Sequence, residues 1–140
     1  MKPMEPKCNL ILDSCCDLPY EVLDRPGVSV LQFPYIQDGV ECMDDMYRTT
    51  TPKQFYAGMR DKKAQSSPST AQIPLTLFEQ TFRSALESGV PTVYLGFSSG
   101  LSGPFETASL MAETLSAEYP DGKLFVVDTL LASIAEGLLV

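Results

Sequence analysis

Three serines and two glycines fall within six residues, Ser98-Ser99-Gly100-Leu101-Ser102-Gly103, between an apolar run that ends at Gly96 and a periodic segment that opens at Pro104. Glycine lets the main chain turn sharply and approach a ligand, while the free N–H groups at a helix start favour negative charge. The serine hydroxyls add donors that carry no charge of their own. Such a cradle suits a phosphate or a carboxylate held by hydrogen bonds. The same residues are also ordinary helix-capping residues, so both readings stand at this point.

Three acids, Asp13, Asp17 and Asp128, lie at or just past the ends of apolar runs. They could form a carboxylate cluster for metal or acid chemistry. The preferred reading is that they accept N–H bonds from their loops, because free carboxylates would repel an anion held nearby. A serine nucleophile needs a base, and the chain contains no histidine. A phosphate-binding loop of the GK[ST] type needs a lysine that is absent here. No catalytic residue is therefore expected, with a serine-dependent hydrolase or phosphate-ligand enzyme built on the loop from Ser98 to Ser102 as the alternative. Four cysteines, two of them adjacent (Cys15 and Cys16), make no CxxC pair. No metal is expected, and the thiols read as reduced groups filling small buried volumes.

These side chains need a frame. Residues 8–12 read as a buried strand that opens into the polar loop 13–17, where Asp17 caps a brief helix with Pro19 in its first turn. Residues 28–36 are rich in β-branched and aromatic types and read as a strand. Gln37-Asp38-Gly39 marks the turn of a hairpin, and Pro34 marks a strand edge or end. Residues 51–59 read as a short helix with Phe55, Tyr56 and Met59 on one face, followed by a loop over 61–69. Residues 74–87 carry Leu75, Phe78, Phe82, Ala85 and Leu86 at helical spacing. A strand over 91–96 then leads into a helix from Gly103 or Pro104, with Phe105, Ala108, Met111, Ala112 and Leu115 in one stripe. Residues 123–128 form the last strand and 130–140 begin a further helix.

Strands alternating with helices predict an α/β fold, a three-layer arrangement in which a parallel sheet of about four strands carries helices on both faces. Ligands of such sheets sit at the carboxyl ends of the strands. The loops after Leu12, Gly96 and Val127 all fall there. The helix that opens at 130 runs to Val140 without a capping glycine or polar tail. The expectation is that further polypeptide follows, the alternative being a terminal helix docked on its own domain.

At 140 residues the chain fits one domain, and its 44% apolar and 20% charged composition is ordinary for a globular protein. Eighteen acidic against ten basic residues give a net charge of −8, which repels a polyphosphate backbone and makes nucleic acid a poor partner. No apolar run approaches the ~20 residues of a bilayer span, and the first residues lack the apolar core of a signal peptide. A cytoplasmic location is expected.

Asp13-Ser14-x-x-Asp17-Leu18, Ser69-Thr70-Ala71-Gln72, the block from Ser98 to Gly103, and Val127-Asp128 occur in one order at one set of intervals. Together they resemble the DegV family, the bacterial fatty-acid-binding proteins that include the FakB carriers. Residues 1–7 read as a flexible N-terminus, and the resemblance implies an amino-terminal α/β domain over 8–140, with the carboxyl-terminal domain missing. It implies a bound long-chain fatty acid as ligand, no cofactor, no enzymatic activity, and a fatty acid kinase as partner. By residue-for-residue match, Thr70 and Ser102 hydrogen-bond the fatty-acid carboxylate, with Ser14, Ser98, Ser99 and Gly103 in support. Hydroxyl donors suit that task because they hold a carboxylate without an ion pair that would slow release. Phe33, Tyr35, Phe55 and Met59 are candidates to line an acyl tunnel. The departures are Cys15-Cys16 within the first block, Ala71 where the family has a serine, Pro104 after the glycine, and Thr129-Leu130 after Asp128. A third expectation is that half a tunnel binds little and that this piece instead associates through exposed apolar surface.

Overall fold

Four apolar runs come together as a parallel sheet in a computed structural model that describes residues 7–61 and 68–140. Strands β1 (Asn9–Asp13), β2 (Val28–Leu31), β6 (Thr92–Gly96) and β7 (Leu124–Asp128) lie in the order β2-β1-β6-β7. Between β2 and β6 in sequence come β3 (Pro34–Gln37), β4 (Val40–Met43) and β5 (Ser69–Thr70), which form a second, antiparallel sheet in the order β4-β3-β5. The helices are α1 (Tyr20–Leu23), α2 (Pro52–Arg60), α3 (Leu75–Glu87), α4 (Pro104–Glu118) and α5 (Ile134–Gly137).

Alternation along each strand sorts the parallel sheet into two faces. Ile11, Leu31 and Tyr94 point to one, where α3 and α4 supply Phe78, Phe82, Leu86, Ala108, Met111 and Leu115. The rings of Phe78, Phe82 and Tyr94 meet with centroids 5.5–5.8 Å apart. Leu12 points to the other face, where it packs with Cys16, Leu23 and Met46 under α1 and the chain's last residue. This second layer is thin. Phe125 and Val127 on the edge strand β7 remain exposed.

The chain departs from its sequence reading in several places. Residues 28–36 do not form one strand: the chain leaves the parallel sheet after Leu31 and enters the antiparallel one at Pro34. The buried Ser14 hydroxyl fixes that crossing by accepting the Phe33 N–H at 3.0 Å. Asp17 does not cap α1. It ends the 3₁₀ turn Ser14–Cys16 in a left-handed conformation at φ 52°, and Pro19 takes the cap position. Helix α2 opens on a capping box at Thr51 and Gln54, yet Tyr56 and Met59 are each 45% exposed and only Phe55 of its expected apolar face packs inward, against Tyr35. The region from residue 130 is helical only over Ile134–Gly137, because Leu130 and Ser133 both adopt positive φ (54° and 56°). Of the loop expected over 61–69, residues 62–67 lie outside the described residues, and Ser69 belongs to β5. The Asp38-Gly39 turn closes the expected hairpin, with both residues at positive φ (50° and 79°) as a two-residue turn requires.

Candidate functional site

The loops after β1, β6 and β7 converge at the carboxyl ends of the sheet, and carboxylates lace them together. Asp13 is fully buried and accepts three bonds: Cys15 N–H at 3.1 Å, Phe97 N–H at 2.8 Å and the Tyr94 hydroxyl at 3.2 Å. Burial pushes its carboxyl above the usual range, against the pull of those donors. Asp128 accepts the Ser99 hydroxyl and the N–H groups of Ser99 and Leu130, and the hydroxyl bond holds its carboxyl below the usual range. Asp17 accepts the Ser133 hydroxyl. Each of the three acids is thus occupied in bracing a loop. Among the described residues no group of three or more Cys, Asp or Glu side chains could hold a metal ion.

The serines divide in the same way. Ser14 bonds Phe33, and Ser99 bonds Asp128. Ser98 is 5% exposed, and its oxygen accepts the Gly100 N–H at 3.2 Å while its own N–H donates to the Leu131 carbonyl. Ser102 is half-buried, and its N–H closes the turn onto the Ser98 carbonyl at 3.2 Å. Gly103 caps α4, whose first helical residue, Pro104, has no N–H to satisfy.

Thr70 comes from the other sheet. It sits on the exposed strand β5 opposite Tyr35, and Tyr35 in turn sits opposite Cys42 on β4, so the three residues share one face of the antiparallel sheet. That face borders a cavity of about 230 Å³ whose apolar wall is Phe33, Tyr35, Phe55 and Met43, with Cys15 and Thr70 also on it. Met59 is not on this wall. Asp44, Asp45, Tyr47, Thr49, Thr50 and Ser69 add further polar groups to the lining. Burial and the nearby acids push the Cys15 thiol far up, so it stays protonated and acts as a small apolar filler.

The structure brings Thr70 to the cavity and leaves Ser102 off its wall. Their loops nevertheless touch: Gln72, two residues beyond Thr70, packs on Gly103 so closely that a Cβ there would stand 3.2 Å from the Gln72 Nε2. Cys15, Asp44, Asp45, Thr49 and Thr50 were not foreseen as cavity residues. The signal for them was weak, since it lies in the pairing of β3 with β4, which the single-strand reading of residues 28–36 obscured.

A family model described as an uncharacterised protein of the DegV family matches residues 7–140. The chain belongs to the DegV family. A DegV domain-containing protein of Clostridium perfringens is 33% identical over 131 residues, which cover 94% of this chain and 44% of the relative. The fold matches a fatty-acid (stearic acid)-binding protein from Eubacterium ventriosum with a TM-score of 0.79 at 26% identity, and a DegV family protein from Thermus thermophilus described by its fatty acid binding with 0.77 at 30% identity. In both, the match covers 94% of this chain and 44% of the other. The chain thus spans less than half the length of these DegV relatives.

One motif of this DegV chain escapes the sequence reading above. Gly96-Phe97-Ser98-Ser99-Gly100 has the GxSxG spacing of a nucleophile elbow and follows a strand. An elbow presents its serine oxygen outward on a strained turn. Here the Ser98 oxygen is buried and bonded to Gly100, Ser98 is absent from the positive-φ residues, and the chain has no histidine to act as base.

Proposed function

We propose that this chain forms one half of a fatty-acid-binding protein and receives the carboxylate end of a long-chain acyl ligand, which it presents to a partner fatty acid kinase. The observation that carries the reading is the apolar cavity with Thr70 on its rim, set beside the loop from Ser98 to Gly103 at the carboxyl ends of a DegV sheet. Thr70 and Ser102 supply the hydroxyl donors, and Phe33, Tyr35 and Phe55 take the first part of the acyl chain. Each buried methylene contributes about 0.8 kcal/mol, so apolar contact supplies most of the affinity and the hydroxyls fix orientation. Asp44 and Asp45 repel a carboxylate, which favours placing the head group at the Thr70 side.

The cavity, at about 230 Å³, is smaller than the roughly 300–1,000 Å³ of small-molecule sites. A long acyl chain therefore needs further walls, which the remainder of a protein of the relatives' length would supply. On this reading the protein acts as a carrier rather than an enzyme, and it works in the cytoplasm. Among the described residues no helix is long and apolar enough to cross a membrane.

The test is lipid retention measured by native mass spectrometry on the protein and its Thr70→Ala, Ser102→Ala double variant. The wild type retains fatty acid, and the double variant loses at least about tenfold in retention while its circular dichroism is unchanged. Equal retention refutes the hydroxyl pair as the head-group site.

A further inference from the structure

Glu136 on α5 has a fully buried side chain, and neither of its carboxyl oxygens has a hydrogen-bond partner among the described residues. Helix α5 packs on the turn Ser14–Cys16 so tightly that a Cβ on Gly137 would stand 2.6 Å from the Cys16 carbonyl oxygen. The titratable groups facing Glu136 across that contact are Asp13, Asp17 and the thiols of Cys15 and Cys16, with the Tyr94 phenol behind them. None can offset a negative charge. Arg25, the cation at the chain end, bonds the Val140 oxygen at 3.1 Å.

A carboxylate in that position would be desolvated and would face two further acids with no donor to receive it. The carboxyl must therefore stay protonated or leave. Burial first, then Asp13 and Asp17, push it up to about 9. The backbone leading to it is held in sparsely populated conformations, at φ 54° for Leu130 and at φ 56°, ψ −141° for Ser133. Helix α5 itself is a single turn whose flanks, Ile134, Leu138 and Leu139, are exposed. Besides packing, a bond from the Ser133 hydroxyl to Asp17 ties the segment to the turn.

We infer that α5 is a proton-dependent latch: Glu136 enters beside Asp13 as a neutral acid and clasps α5 onto the turn Ser14–Cys16, and its deprotonation releases the helix. The turn carries Cys15 into the cavity wall, so the latch sets how firmly that wall is held. The sign follows from linkage. The docked state holds a proton up to about pH 9 that the undocked state gives up near the ordinary value of 4.5. Docking is therefore strongest at acid pH and weakens about tenfold per pH unit between those two values, then becomes independent of pH.

Amide hydrogen exchange on the protein from pH 6 to 9, corrected for intrinsic rates, tests this. The readouts are the amides of Gly137 and Leu138, which donate to Ser133 and Ile134, and of Asp17, which donates to Ser14. Their protection is expected to fall together by about tenfold per pH unit. In Glu136→Gln, and in Glu136→Met, which fills the site without a carboxyl, protection is expected to be flat across the range. A flat wild-type profile, a slope that survives in either variant, or α5 amides without protection at pH 6 overturns the proposal.

Discussion

Replacing Ser14 by alanine separates a loop-bracing hydroxyl from a ligand-binding one. Ser14 is buried, and its oxygen accepts the Phe33 N–H at 3.0 Å where the chain passes from one sheet to the other. Ser14→Ala removes the acceptor and leaves the Phe33 N–H buried without a partner, at a cost of about 1–3 kcal/mol. For a chain of this length that corresponds to a fall in Tm of about 3–5 °C per kcal/mol, or on the order of 10 °C. Urea denaturation followed by circular dichroism reads the change as a lower midpoint with an unchanged slope. The reasoning is refuted if Ser14→Ala keeps its midpoint within about 0.5 kcal/mol of wild type while losing lipid, because Ser14 would then serve the ligand and not the crossing.

Phe82 is fully buried between Phe78 and Tyr94, and Phe82→Ala is expected to cost about 3–5 kcal/mol, checked by the same denaturation. Asp128 titrates below its ordinary value because Ser99 bonds it, so its contribution to stability is present above about pH 4 and is lost as pH falls through the lowered value. Asp128→Asn should therefore flatten the acid limb of the stability profile below that point and leave its alkaline side unmoved, as read from thermal melts across pH.

The parallel sheet was legible because its strands are continuous apolar runs: residues 8–12, 91–96 and 123–128 each became a strand within a residue or two of the expected bounds. Helices α3 and α4 were equally plain, since Phe78, Phe82, Leu86, Ala108, Met111 and Leu115 recur at helical spacing and all are buried. What the sequence hid was tertiary in origin. Gln32 and Phe33 look like any residues of a strand, and the contacts that hold the chain's turn there come from afar, the Ser14 oxygen nineteen positions away and the Asp44 N–H on the Phe33 carbonyl at 2.9 Å. The cavity was hidden for the same reason, because Cys15 and Thr70 reach one wall through the register of β3 with β5 and through the turn after β1. Glu136 gave no signal at all: a single acid in an apolar segment reads as a solvated residue, and its burial depends on the close packing of Gly137 over Cys16.

The charges around the cavity make a demand on any acidic ligand. Asp44 and Asp45 are on its lining, Asp13 and Asp17 stand behind Cys15, and among the described residues no Lys or Arg is on the lining. A carboxylate thus approaches a field of its own sign, on a chain whose net charge is −8. Salt screens such a field, with a Debye length falling from about 30 Å at 0.01 M to about 3 Å at 1 M. An ion-pair site would lose affinity along that series, whereas this one should hold or gain it. Because salt also strengthens apolar burial, the comparison needs a neutral control of equal chain length, such as the fatty alcohol. The expected result is that the acid gains on the alcohol as salt rises, since only the acid is relieved of repulsion. If the acid instead loses ground to the alcohol, a cation holds the head group, and a pair of hydroxyls on this chain is not what receives it.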